Sequence, residues 1–170
     1  MFIKKAIAAA MVLGATGFAS QAMAETATAT FQVKMTILKS CSVSAGTSSD
    51  INLGSVLSTV TDTSASNTIR VTCSKTTPYN IGLRPTSDGT DVGTGTMISS
   101  TGLSGNADKV PYTLYSNAGL STVWGNTVGT NTVPGTGTGL TQSHTVYARN
   151  TNANFTPDSY ADTVTVTVTY

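Results

Sequence analysis

The chain has 170 residues, of which 33 are Thr and 19 are Ser, whereas Glu occurs once, at position 25. Thr favours extended backbone, Ser and Gly favour turns, and straight-chain helix formers are scarce, so the composition excludes a helix-rich protein. The chain carries nine Lys and Arg and eight Asp and Glu, and no stretch is rich in charges of one sign. This balance argues against a nucleic-acid surface. The length suits one domain with a substantial core.

The N-terminus has the pattern of an export signal. Lys4 and Lys5 precede an apolar run over residues 6–13, and residues 22–24, Ala-Met-Ala, form a small-x-small cleavage site. This pattern predicts a secretory signal peptide over residues 1–24. The alternative, a membrane anchor, is disfavoured because the apolar run is too short to span roughly 30 Å of hydrocarbon. No later segment is apolar for long enough, so we expect no stable membrane insertion.

Cys41 and Cys73 are the two cysteines of the chain. In the oxidising compartment that the signal peptide implies, two cysteines are expected to form a disulfide. The alternative is a reactive thiol pair, which normally shows a Cys-x-x-Cys spacing that this chain lacks. Two cysteines also cannot supply a four-ligand zinc site, and we expect no bound metal.

The remaining chain alternates between short apolar segments and clusters of turn-forming residues. We predict strands at 69–73, 79–83, 110–115 and 145–149, with Pro111 marking a bulge or an edge strand. The predicted turns lie at residues 45–50, 61–67, 87–95, 99–107, 125–139 and 150–159. Many short strands at this spacing predict an all-β protein, a β-sandwich of one domain.

Two long alternating segments lie at opposite ends of the mature chain. Residues 162–170 read DTVTVTVTY and place four apolar side chains on one face: Val164, Val166, Val168 and Tyr170. Residues 25–37 read ETATATFQVKMTI and place six on one face: Ala27, Ala29, Phe31, Val33, Met35 and Ile37. The second segment is either an ordinary first strand or a strand donated to the sheet of another copy, a mode of recognition known from pilins.

A set of motifs is spread across the mature chain, of which the terminal motif and the cysteine spacing are the most specific. The motifs are the N-terminal alternation leading into Ser40-Cys41, residues 50–54 (DINLG), 69–73 (IRVTC) followed by Pro78-Tyr79, 112–115 (YTLY), Trp124-Gly125, Val146-Tyr147 and the terminal segment from Tyr160. Together they resemble the motifs of one family, the spore coat protein U domain of archaic, Csu-type chaperone-usher pilins.

The resemblance implies an incomplete immunoglobulin-like β-sandwich of the pilin type, which a donor strand completes. It implies residues 25–38 as the donor-strand segment and 39–170 as the pilin domain. The six apolar residues from Ala27 to Ile37 are then the donor residues, and Val164, Val166, Val168 and Tyr170 line the acceptor groove. Cys41 and Cys73 match the family's disulfide.

The implied function is that of a structural subunit of an extracellular pilus, or fimbrium, which supports surface attachment and biofilm formation. The implied partners are other copies of the chain or related pilins, a periplasmic chaperone and an outer-membrane usher. Two alternatives stay open, a single-domain adhesin that binds carbohydrate or another surface, and a structural protein of a spore or cell coat. Neither a nucleic-acid partner nor a cofactor is expected.

Catalysis has little support in the sequence. His144 is the sole histidine, and no Gly-x-Ser-x-Gly motif accompanies it, so we expect no enzyme and assign His144 to a strand or loop surface. Trp124, the sole tryptophan, is interpreted as a packing residue, with sugar stacking as the alternative.

Overall fold

The structure, a computed structural model, describes residues 24–87 and 89–170. Backbone contacts divide the chain into two units, one that ends at Thr36 and one that comprises Ile37–Tyr170. Apart from Ala24, the predicted signal peptide lies outside the described residues. No helix or strand occurs over residues 24–40. In the described ranges no helix is both long and apolar enough to cross a bilayer.

The second unit is built from antiparallel strands. Its strands are β1 (Cys41–Ser44), β2 (Thr63–Cys73), β3 (Pro78–Pro85), β4 (Thr94–Ser99), β5 (Lys109–Tyr115), β6 (Val133–Thr136), β7 (Thr141–Asn150), β8 (Tyr160–Ala161) and β9 (Val164–Thr169), with a 3-10 turn at Thr47–Ser49. Six strands form one sheet in the order β1-β2-β7-β5-β4-β8, and three form a second in the order β6-β3-β9. The predicted all-β sandwich is confirmed.

The core lies between the two sheets. Val71 of β2 and Ile81 and Leu83 of β3 are almost completely buried and belong to one apolar cluster that draws on both sheets. Trp124, which is 1% exposed, packs in the same cluster, and its indole Nε1 donates a hydrogen bond of 2.8 Å to the carbonyl of Ile81. Trp124 is therefore a packing residue, and its burial rules out the sugar-stacking alternative.

Two of the predicted turns were wrong over four residues or more. Thr63–Asn67, polar except for Ala65, forms the first half of β2, because each of its residues pairs with a residue of β7. Residues 133–136 form β6, which pairs with β3, and a Cβ atom at Gly135 would collide with the ring of Tyr79. In both places pairing with a neighbouring strand overrides a turn-like composition, as is common for strands.

Pro111 lies in β5, which is flanked by β7 and β4, so of the two alternatives, a bulge or an edge strand, the edge strand was wrong. The ladder between β5 and β7 covers only Thr113–Tyr115. Pro111 therefore lies beyond this ladder, where its missing N–H costs no strand pairing. The side-chain amide of Asn150 donates a hydrogen bond of 2.7 Å to the carbonyl of Pro111 and satisfies the remaining backbone group.

The disulfide between Cys41 and Cys73 joins β1 to β2. The two residues are direct cross-strand partners with a Cα–Cα distance of 4.1 Å, and Cys73 is fully buried. The predicted pairing of the cysteines is therefore present. Because β1 has four residues and, among the described strands, pairs with β2 alone, the covalent bond holds this short strand at the sheet edge.

We expect the double substitution of Cys41 and Cys73 by Ala to lower the free energy of unfolding by about 3.5 to 4 kcal/mol, because closing a loop of this length restricts the unfolded chain. Chemical denaturation of the oxidised wild type and the variant measures the difference. Adding a reductant should destabilise the wild type and leave the variant unchanged. Equal stability of the two oxidised proteins would contradict a stabilising role for this bond.

Candidate functional site

The two sheets end in four edge strands, which differ in how well they are protected. Among the described residues, β8 has two residues, β6 has four and contains Pro134, and β1 has four and carries the disulfide. The edge strand β9 has six residues and contains neither Pro nor a charged side chain. Proteins commonly block exposed edges with short strands, Pro or charge. β9 is therefore the longest edge of the described part of the chain, and it lacks these protections.

The valines of β9 face the core. Val166 and Val168 pair directly with the buried residues Leu83 and Ile81 of β3, and directly opposed residues in an antiparallel pair share a face. Val164, Val166 and Val168 all pack against the core cluster, yet each is only partly buried. The intervening threonines are exposed on the outer face. The core thus reaches solvent along this strand, where a further strand could cover the valines.

The backbone groups of the same valines point to the free edge. Successive residues of an antiparallel strand direct their N–H and C=O groups to alternate sides. The carbonyl of Thr163 accepts a hydrogen bond of 2.8 Å from Thr86 N, which follows β3, so the threonines of β9 bond to β3. The N–H and C=O groups of Val164, Val166 and Val168 face the opposite side, where no strand pairs with them in the described residues.

The edge strand β1 lies beside β9 without pairing to it. Some Cα atoms of the two strands lie within 8 Å of each other, but β2 is the only strand in the described part of the chain that pairs with β1. Val43 is the direct partner of the buried Val71 and shares its core-facing side, yet Val43 is 40% exposed. Sequence reasoning missed Val43, although its alternation with Cys41 offered a weak signal. Two incompletely covered edges therefore lie side by side in the candidate site.

Asp162 fastens the start of β9 to the rest of the sandwich. Its Oδ2 accepts hydrogen bonds from the Ser87 hydroxyl at 2.6 Å and from the Tyr112 hydroxyl at 2.7 Å. Its Oδ1 accepts one from Thr163 N at 2.8 Å. The Ser87 hydroxyl in turn accepts a hydrogen bond of 3.0 Å from Thr96 N of β4. This cluster holds the entry to β9 against β4 and β5 and thereby positions the free edge.

The predicted donor residues carry exposed side chains. Phe31 and Val33 are each 88% exposed, and Met35 and Ile37 are 82% and 78% exposed. Ala27 and Ala29 are exposed as well. The alternative that this segment is an ordinary first strand was wrong for this structure, because the first strand begins at Cys41. Tyr170, predicted to line the acceptor groove, follows the last residue of β9 and is 56% exposed.

The chemistry of the remaining polar groups is limited. His144 is partly buried on β7, and its Nε2 lies 3.1 Å from the hydroxyl of Tyr79. Burial lowers the pKa of His144 and raises that of Tyr79, so both rings favour their neutral forms. Within the described residues, no group of three or more His, Cys, Asp or Glu is arranged to hold a metal ion.

The lowered pKa of His144 predicts a loss of stability in acid. Because the ordinary pKa is 6.5, the unfolded chain binds this proton at a higher pH than the folded chain does. Stability should therefore be full above about pH 6.5 and decline as the pH falls towards the lower folded pKa. Denaturation at about pH 7 and pH 5 should show a smaller loss for His144→Gln than for the wild type, with Ser143→Ala as the control. Identical losses in wild type and His144→Gln would contradict this assignment.

The free edge of β9 also predicts a pattern of amide exchange. In a monomer carrying Phe31→Asp and Val33→Asp, the amides of Val166 and Val168 should exchange rapidly, because no described strand pairs with their side of β9. The amides of Thr165 and Thr167, bonded to β3, should exchange at least about tenfold more slowly. Residue-resolved hydrogen exchange measures the contrast. Equal protection of all four amides in the monomer would show that the edge is already paired.

Comparison with known proteins identifies a family and solved structures that resemble this chain. The family model of the Spore Coat Protein U domain matches residues 27–167. No curated protein sequence matches the chain significantly. The fold is similar to a chain in the crystal structure of the CsuC-CsuE chaperone-tip adhesion subunit pre-assembly complex from archaic chaperone-usher Csu pili of Acinetobacter baumannii, with 22% identity and a TM-score of 0.53.

The matched regions cover 79% of this chain and 40% of the Csu chain, so this chain spans less than half the length of that protein. A chain from a chaperone-tip adhesin complex of CFA/I fimbriae biogenesis matches with 14% identity and a TM-score of 0.48, over 76% of this chain and 41% of that one. The family match extends from the exposed alternating segment to the unpaired edge strand. This chain belongs to the Spore Coat Protein U domain family.

Proposed function

We propose that the protein is a structural subunit of an extracellular pilus, polymerised by donor-strand exchange. The observation that carries the proposal is the free edge of β9, where core-facing valines and outward backbone groups coincide. Residues 27–37 of another copy supply what this edge lacks, an extended segment with one apolar face. Membership of the family and the pilin-like fold support this function.

The partners follow from the same edge. An unpaired apolar edge is prone to aggregation, so the subunit needs a periplasmic chaperone to cover it before assembly. An outer-membrane usher then exchanges that chaperone for the donor segment of the next subunit. The disulfide fits export through an oxidising periplasm after removal of residues 1–24. Surface attachment and biofilm formation are the roles we assign to the assembled fibre.

The energetics favour a long-lived polymer. Phe31, Val33, Met35 and Ile37 are exposed, and burying each such side chain contributes roughly 1.5 to 3 kcal/mol. The sum is on the order of 10 kcal/mol before the cost of ordering the segment. Pairing with the outward groups of β9 adds backbone hydrogen bonds at both strands. Ala27 and Ala29 bury little area, so we expect the four larger residues to dominate binding.

We assign the subunit no enzymatic role. The ring of His144 faces Tyr79, and Trp124 is buried, so neither residue is placed to act on an external substrate. The burial of Trp124 also removes the sequence feature that most favoured a carbohydrate-binding adhesin. The alternative of a structural protein in a spore or cell coat would use the same strand exchange. It would differ from a pilus subunit in the place where the polymer is deposited.

Charges on the apolar face of the donor segment should abolish polymerisation. We expect Phe31→Asp with Val33→Asp to yield only monomers or chaperone-bound subunits, because pairing would bury two carboxylates against the core. The matched control is Thr30→Asp with Gln32→Asp, which places the same charges on the opposite face. Gels run without heating would show SDS-resistant ladders for the wild type and the control. Ladders from the apolar-face variant would defeat donor-strand exchange through residues 27–37.

The same apolar-face variant keeps its own acceptor edge, so it can receive a donor strand but cannot supply one. Added in excess to wild-type subunits during assembly, it should shorten the polymers in proportion to its share, because each incorporated copy stops growth at one end. The control variant should leave the length distribution unchanged. Polymers of full length that exclude the variant would show that the acceptor edge alone does not suffice for entry.

A further inference from the structure

The sandwich has one end where the donor segment joins β1. The turn at residues 74–77 bonds there to the chain at residues 38–40 and to a second turn at residues 137–140, and we call this the leading end. Ser74 N donates to the carbonyl of Ser40 at 2.8 Å, and Gly137 N donates to the carbonyl of Thr77 at 2.7 Å. Because Asn80 near the start of β3 pairs with Thr169, β9 finishes at the same end.

The opposite end, which we call the trailing end, is formed by the loops at residues 56–62, 99–108 and 151–159. Ala153 N donates to the carbonyl of Val60 at 3.1 Å, and Thr156 N donates to Oδ2 of Asp108 at 2.8 Å. β9 starts at this end, since Val164 pairs with Pro85, the last residue of β3.

The two ends carry opposite charge. At the leading end, Lys39 precedes Ser40 and Lys75 follows Ser74, and these two serines are hydrogen-bonded to each other. Both lysines are exposed. The leading-end segments, residues 38–40, 74–77 and 137–140, contain no Asp or Glu. The three trailing-end loops include three carboxylates, those of Asp62, Asp108 and Asp158, and no Lys or Arg, while the cations Lys109 and Arg149 lie just outside them. Arg149 forms a salt bridge of 2.8 Å with Asp62, and hydrogen bonds from Thr156 lower the pKa of Asp108, which keeps that carboxylate charged.

Both ends also expose large apolar side chains. Leu140 at the leading end is 74% exposed. At the trailing end Leu57 is 75% exposed, and Ile98 and Leu103, 53% and 49% exposed, line a shallow depression together with Asn106 and Asp108. The leading end, with an exposed leucine and two lysines, thus has a counterpart in an apolar depression lined by the carboxylate of Asp108, with Lys109 also in its lining.

Chain connectivity brings these two ends together if the proposed function holds, on which this inference rests. With Ile37 as the last inserted residue, residues 38–40 alone link the donor strand to Cys41, and three extended residues span at most about 11 Å. Every strand pair of this sandwich is antiparallel. A donor antiparallel to β9 places its own leading end against the trailing end of the acceptor. A parallel donor would instead bring two lysine-bearing leading ends together.

We infer that consecutive subunits dock end to end, with Lys39, Lys75 and Leu140 of one copy against the loops that carry Asp108, Asp158 and Leu103 of the next. The occupant of each trailing end is therefore a second copy of this chain. The contact adds to the inserted strand and fixes the angle between neighbouring subunits. It is electrostatic in part and weakens as salt screens the charges.

The test is zero-length cross-linking of polymers made from isotopically labelled and unlabelled mature chain. A carbodiimide joins a lysine amine to an adjacent carboxylate, and mixed-isotope peptides identify links between copies. We expect links from Lys39 or Lys75 to Asp108 or Asp158. The variant Lys39→Arg with Lys75→Arg keeps both charges but lacks the reactive amines, so its polymers should form normally and lose these links.

SDS-resistant polymers in which Lys39 and Lys75 link only to Asp50 or Asp91 of another copy, or form no links to its aspartates, would overturn the end-to-end contact while leaving donor-strand exchange intact. Failure of the wild-type chain to form SDS-resistant polymers would overturn the proposed function, and the inference with it. The two failures are therefore distinguishable from the same preparation.

Discussion

The unpaired backbone edge of β9 is the constraint on which the rest of the molecule depends. Three valines direct their side chains to the core and their N–H and C=O groups to the side where no described strand pairs with them. An exposed edge of this kind favours pairing with another strand. A sequence that keeps Pro and charge out of this strand, while placing Pro134 in β6, is suited to intermolecular pairing at one chosen edge.

The surrounding structure holds this edge open and in position. The disulfide fixes β1 at the neighbouring edge, where Val43 faces the core without complete cover. At the start of β9, Asp162 binds Ser87 and Tyr112 and anchors the strand to the other sheet. Trp124 and Tyr79, the latter on β3, fill the core, so the sandwich remains packed although one flank is incomplete. Stability and an open edge are thus provided by different parts of the molecule.

Much of the fold could be predicted from sequence because alternation of apolar and polar residues reports strands directly. The central strands followed from this alternation, whereas the pairing of the cysteines followed from the predicted export and the packing role of Trp124 from its residue type. The first half of β2 and the whole of β6 could not be predicted, since their Ser, Thr, Gly and Asn residues favour turns until a partner strand is present. The edge strand predicted from Pro111 was wrong for a related reason, because the position of this residue beyond the ladder to β7 is set by tertiary pairing.

Only part of the candidate site could be predicted from the sequence. The valine face of β9 and the apolar face of residues 27–37 are periodic, so both could be predicted. Val43 and the hydrogen bonds of Asp162 depend on contacts between residues distant in sequence, which no local pattern reports. The roles of donor and acceptor stay predictions for these residues, because pairing between copies is a property of the assembly.

A high-resolution structure of the assembled polymer tests the central claim most directly. We predict that residues 27–37 of one copy run along β9 of the next, with Phe31, Val33, Met35 and Ile37 covering the valines and hydrogen bonds reaching the backbone of Val166 and Val168. An assembled polymer in which this edge is vacant, or is paired with a segment of the same copy, would contradict the account.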